Sequence, residues 1–74
     1  AVARAMAADR FGTIATTRAD AKKSAAEADP EVSEAIDFAR FYADTFRVPD
    51  GLRAAALGTV VVASPWNFPY AIPA

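Results

Sequence analysis

Two stretches of this chain gather side chains that can do chemistry. In the first, Ser64-Pro65-Trp66-Asn67-Phe68-Pro69 sets a carboxamide between two large aromatics, with a proline fixing φ on either side. A loop that only had to turn would favour Gly, Asp or Asn, so this one reads as built to hold something. The second is Glu34, which at 3.6 residues per turn shares a helical shoulder with Phe38, Phe41 and Thr45, with Glu31 at its edge. A carboxylate beside two phenylalanines suits a pocket wall that receives a cationic or hydrogen-bonding group. The plainer alternative is a wide apolar face with Glu34 at its margin, reaching for water.

The rest of the composition excludes more than it suggests. The 74 residues contain neither Cys nor His, so thiolate and imidazole metal ligands, Cys nucleophiles and Ser-His triads cannot be built from them. A formal net charge of −1 gives no electrostatic case for nucleic acid. No apolar run approaches a membrane span, and no signal-peptide pattern opens the chain. The lack of Cys agrees with a cytoplasmic setting.

The elements that must position these residues follow from periodicity. Residues 1–18 read as helix, with Val2, Met6, Phe11, Ile14 and Ala15 near helical spacing. Asp20 is placed to cap a short helix over 21–27, in which Lys22 and Lys23 read as solvated and Glu27 can pair with Lys23. Asp29-Pro30-Glu31 has the form of a helix start, and the helix it opens runs to about Arg47. Val32, Ala35, Ile36, Ala39, Tyr42, Ala43 and Phe46 form its core stripe, while Asp37, Arg40 and Asp44 lie on a solvated face where neighbours of opposite sign can pair. Val48-Pro49-Asp50-Gly51 is a turn by composition. After Gly58, residues 59–63 are a β-branched apolar run, the pattern of a strand buried on both faces in a parallel sheet. Such strands present ligands to the loop at their carboxyl end, here the aromatic loop. Tyr70-Ala71-Ile72 can open a further helix.

The expected fold is therefore α/β, a fragment of a doubly wound dinucleotide-binding domain in which helices are followed by one buried parallel strand. The helical part covers about 1–47, a linker 48–57, and the strand with its loop 58–74. One good strand without neighbours, and a chain that opens at Ala1 without Met, favour a piece of a larger domain. The alternative is a small helical interaction module whose aromatics dock onto a partner.

Val-Val-Val-Ala-Ser-Pro-Trp-Asn-Phe-Pro, followed by Tyr-Ala-Ile-Pro-Ala, closely resembles the strand and loop that open the nucleotide-binding fold of aldehyde dehydrogenases. Upstream, Glu-Ala-Asp-Pro-Glu-Val-Ser-Glu-Ala-Ile-Asp-Phe-Ala-Arg-Phe-Tyr-Ala (27–43) is similar to a helix of that superfamily. Its wording looks most like the branch that oxidises glutamate semialdehyde, pyrroline-5-carboxylate dehydrogenase, which in bacteria is often the C-terminal part of a bifunctional proline-utilisation flavoprotein. The resemblance extends from about Phe11 to Ala74.

The resemblance implies an oxidoreductase that adds a Cys thiolate to the aldehyde, passes hydride to NAD (NADP being the alternative) and hydrolyses the thioester to glutamate. By it, Asn67 is the oxyanion-hole carboxamide, Ala63, Ser64, Pro65 and Trp66 lie along the adenosine half of the dinucleotide, and Phe68 is an aromatic wall of the aldehyde tunnel. It also turns Glu34 toward that tunnel, where its carboxylate suits the substrate's α-ammonium. The implied partners are a small-molecule aldehyde and the remainder of the enzyme, itself a homo-oligomer; no metal is implied. The family's coenzyme-binding Lys, general-base Glu and Cys nucleophile fall beyond Ala74, so these residues alone should be inert. Lys22-Lys23 stands where the family has Gly-Lys, Ala55-Ala56-Leu57-Gly58 where it often has Pro-Leu-Gly, and no Gly-x-Gly-x-x-Gly occurs. Another semialdehyde or a simple aliphatic aldehyde is the alternative substrate.

Overall fold

Alanine-rich sequence with apolar residues at helical spacing forms three helices: α1 (Val2–Ala8), α2 (Arg10–Ala21) and α3 (Ala25–Thr45). The computed structural model describes residues 1–74, and beyond Thr45 the chain forms turns and irregular segments. The helix expected over 1–18 is present as two. They are separated at Asp9, whose φ of −106° and ψ of 30° depart from helical values, and the second continues to Ala21. α2 then stops on Lys22, which adopts φ 56° and ψ 31°, the left-handed conformation usual for a glycine after a helix end. A non-glycine residue there carries the steric cost of a Cβ in that region.

α3 begins earlier than its Asp-Pro signal. Ser24 and Glu27 form a capping box: Glu27 N donates to Ser24 Oγ at 3.3 Å, and Ser24 N donates to Glu27 Oε2 at 2.9 Å. Those bonds, the backbone N–H first and the Ser24 hydroxyl next, hold the exposed Glu27 carboxyl below the usual range, with the Lys23 charge assisting. The short helix expected over 21–27 with Asp20 as its cap is therefore replaced by one continuous helix capped at Ser24. Pro30 lies inside that helix. Asp29, freed from capping, takes the Arg10 guanidinium: Nη2 donates to Asp29 Oδ1 and Ser33 Oγ, both at 2.6 Å, and pins the start of α2 to the second turn of α3.

The core lies where α1 and α2 pack on the first half of α3. Ala28, Val32, Ala35 and Ile36 are buried there against Ala21 and Thr17 of α2, the alanines letting the backbones approach closely. The apolar stripe runs on, but its second half is not core: Tyr42 and Phe46 are exposed, Tyr42 on the wall of an open cleft beside the start of α1. At 21 residues α3 is about 31 Å long. It sets the extents of 48 × 23 × 15 Å and a radius of gyration of 14.7 Å, against ~11 Å for a compact chain of this length.

The expected α/β fragment with a buried parallel strand is overturned. Residues 59–63 have no strand conformation, and Val60, Val61 and Val62 are exposed, Val61 at 86%. A strand satisfies its N–H and C=O groups through a neighbour's ladder, and no other segment here supplies one. β-Branched composition expresses a preference that these residues alone cannot realise. The turn at 48–51 does form, with Leu52 N donating to Pro49 O at 3.1 Å and Gly51 at φ 82°. Of the two ion pairs expected on the solvated face of α3, Asp37 and Arg40 approach to 3.8 Å, both side chains well exposed.

Replacing Lys22 by Gly should raise stability by about 1 kcal/mol, the left-handed penalty less glycine's extra freedom in the unfolded chain. The check is a higher urea midpoint at unchanged m-value.

Candidate functional site

Glu31 sits in the second turn of α3 between Ala28, Val32 and Ala35, on the side of the helix that faces the returning tail. It is only 3% exposed, although nothing apolar about it explains that burial. Its partners do. Oε2 accepts from Lys23 Nζ at 2.7 Å, while Oε1 accepts from the backbone N–H groups of Tyr70 at 2.8 Å and Ala71 at 3.1 Å. A buried charge is tolerated when it is paired and its remaining lone pairs are satisfied, and Glu31 meets both conditions. Burial pushes its carboxyl up, but Lys23 and the two backbone donors outweigh that effect and hold it below the usual range.

The two backbone donors have a simple origin. Pro69 starts a single helical turn that Ala74 N closes onto Tyr70 O at 3.1 Å. The next two N–H groups have no partner within that turn, the usual situation at a helix start. An Asp or Ser just before the turn normally accepts them. Here that position is Phe68, and the carboxylate comes from a different helix. Lys23 acts on the other side of the same loop: its Nζ donates to the Asn67 carbonyl at 2.8 Å and lies 4.5 Å from the Phe68 ring centroid. That distance is within range of a cation–π attraction. Every hydrogen bond from residues 48–74 to the rest of the chain is made by Lys23 or Glu31.

The loop so held is a tight turn, with Phe68 N donating to Pro65 O at 3.3 Å and Trp66 and Asn67 at its tip. Trp66, Asn67 and Phe68 line a cleft of 500 Å³ whose opposite wall includes Lys23, Glu27 and Pro30. Asn67 is exposed at that cleft, and Trp66 is 78% exposed. Ala63, Ser64 and Pro65 lead into the turn without lining the cleft, Ser64 half-buried and the others exposed. Glu34 is exposed one turn beyond Glu31 and does not reach it, so the structure brings Asn67, Trp66 and Phe68 together but leaves Glu34 apart. A larger apolar cleft of 910 Å³ between α1, α3 and the chain end is lined by alanines with Phe38, Tyr42 and Ile72. It contains none of the sequence-predicted site residues and offers little chemistry.

Lys23 and Glu31 are the residues that sequence reasoning missed. Lys23 reads as one of two solvated lysines, and is instead largely enclosed, its side chain 14% exposed. The signal for Glu31 was present: it flanks Val32 and lies one turn from Ala28 and Ala35, so an acid stands among buried positions. That pattern predicts a buried partner for the charge.

With this geometry in hand the chain can be placed. It belongs to the aldehyde dehydrogenase family, whose model, described as "Aldehyde dehydrogenase family", matches residues 1–74. Among curated relatives, it is similar to the bifunctional protein PutA of Rhizobium meliloti, with 55% identity over 53 residues, covering 72% of this chain and 4% of that protein. It is likewise similar to the 1-pyrroline-5-carboxylate dehydrogenase of Anoxybacillus flavithermus, with 40% identity over 66 residues, covering 72% of this chain and 13% of that enzyme. PutA of Klebsiella aerogenes shares 46% over 54 residues, covering 72% of this chain and 4% of that protein. The chain thus spans a small part of the length of these relatives. No solved structure matches it. No helix is long and apolar enough to cross a membrane.

Because the folded pKa of Glu31 lies below its unfolded value, its contribution is complete above the ordinary Glu pKa of ~4.3 and is lost as pH falls through the lowered value. The Tyr70 and Ala71 amide-proton NMR shifts should therefore titrate together with a midpoint below pH ~4.3. A midpoint above that value would contradict the assigned pairing.

Proposed function

We propose that these residues are part of the coenzyme-binding domain of an enzyme that oxidises glutamate semialdehyde to glutamate with NAD(P). The observation that carries this reading is the Trp66-Asn67-Phe68 turn, tied to the helices by Lys23 and exposed at a cleft. The relatives' printed names, 1-pyrroline-5-carboxylate dehydrogenase and bifunctional protein PutA, support the substrate. Within the enzyme, a Cys thiolate supplied by residues outside this chain attacks the aldehyde carbon. Negative charge then gathers on the former aldehyde oxygen, and the Asn67 side-chain N–H, held in a proline-braced turn, stabilises it. Phe68 shapes the apolar approach to that carbon.

NAD(P), when bound, supplies the hydride acceptor. The residues that would hold its adenosine half are Ala63, Ser64, Pro65 and Trp66. Their chemistry suits that role, because backbone C=O and N–H groups outside any ladder can bond a ribose, and the indole offers an exposed flat face. Glu34 is assigned the substrate's ammonium. Its position outside the cleft favours a second reading, an enzyme of the same family acting on another aldehyde, in which Glu34 makes no such contact.

In the full-length enzyme, Asn67→Ala should lower kcat by about 10²–10³-fold, the usual consequence of removing one oxyanion donor, with NAD affinity by calorimetry unchanged. Glu34→Ala separates the two substrate readings. A fall in kcat/KM confined to glutamate semialdehyde supports the ammonium contact, whereas equal losses on propanal remove it.

A further inference from the structure

We propose that Lys23 and Glu31 are positioning residues for the reaction, acting through the loop that bears Asn67. This rests on the role of Asn67 proposed above and adds to it the device that aims the carboxamide. Lys23 holds the Asn67 peptide by its carbonyl oxygen, 2.8 Å away, and covers the neighbouring Phe68 ring. Glu31 fixes the far end of the same segment through Tyr70 and Ala71 and fixes Lys23 itself. The loop is thereby held at Asn67 and at the residues that follow it. No other hydrogen bond ties residues 48–74 to the helices, so the placement of the Asn67 peptide against them rests on this one pair.

A donor acts on a developing oxyanion only when it is already in place, and a displacement of about 1 Å can cost ~10²-fold in rate. Loosening the pair should therefore lower kcat while leaving KM and coenzyme affinity nearly unchanged. A purely structural pair would instead act through the amount of folded enzyme.

The test uses the full-length enzyme and five variants. Glu31→Gln keeps the shape and an acceptor for the backbone donors but removes the charge that anchors Lys23. Lys23→Met removes the other member while leaving Glu31 its two backbone bonds, and serves if Glu31→Gln does not accumulate as soluble protein. Arg10→Met breaks the separate clamp onto Asp29 and Ser33, which touches no part of the loop, and is the control for lost stability. Asn67→Ala reports whether the carboxamide matters at all. The expected result is a kcat ~10–100-fold lower in Glu31→Gln or Lys23→Met, KM for the aldehyde within about twofold, and wild-type kcat per folded enzyme in Arg10→Met. Lys23→Arg, which can still donate to both partners, should recover part of the loss. Wild-type kcat in the Lys23 and Glu31 variants, with Asn67→Ala still impaired, would overturn this proposal and leave the assigned function standing. Undiminished kcat in Asn67→Ala would overturn both.

Discussion

A carboxylate taken out of water must recover several kcal/mol of lost hydration from its new surroundings, and this constraint on Glu31 organises the second half of the molecule. Residues 46–74 form no helix or strand that could locate them by backbone pairing. The segment from Asn67 to Ala71 is located because one anion in the second turn of α3 requires donors and finds three: an ammonium, which also holds the Asn67 carbonyl, and two peptide N–H groups. The tail in turn has two donors that its own sequence leaves unmatched at the start of a helical turn. Each side satisfies a deficit of the other. Such an arrangement holds an irregular segment firmly without a large apolar interface.

α3 is the frame for this exchange. Its second turn presents neighbouring faces to two clamps, Asp29 and Ser33 to Arg10 of α2, and Glu31 to Lys23 and the tail. Between them the small side chains Ala28 and Ala35 and the fully buried Val32 let the helices approach closely. The capping box at Ser24 sets where the helix begins, and so the angular position of Glu31. Lys23 precedes that cap directly, which explains how a residue outside any helix has a defined direction.

Much of this frame is legible in the sequence, because it is written in local signals. Helical spacing reveals α3 and the buried first half of its stripe, and the composition of residues 64–69 marks the loop as more than a turn. Most of what escaped was non-local. The run at 59–63 has the composition of a buried strand, but strand formation depends on a neighbour, which periodicity in one segment cannot supply. Asp29-Pro30 imitates a helix start, yet Ser24 with Glu27 satisfies the first turn earlier. The partners of Glu31 were hidden differently: helical spacing sets this acid among buried positions, but its backbone donors are 39 and 40 residues away in the chain and are identified only once the tail is placed.

The bare valines of residues 60–62 carry a liability of their own. An apolar, β-branched, uncharged segment with unsatisfied peptide groups is the kind of template onto which a second chain adds in cross-β fashion. Gly58, at φ 81°, and Pro65 bracket the segment. Both disfavour extension of such a template, in the manner of gatekeepers that flank sticky sequences. A cover over these valines would thus also protect the chain from self-association.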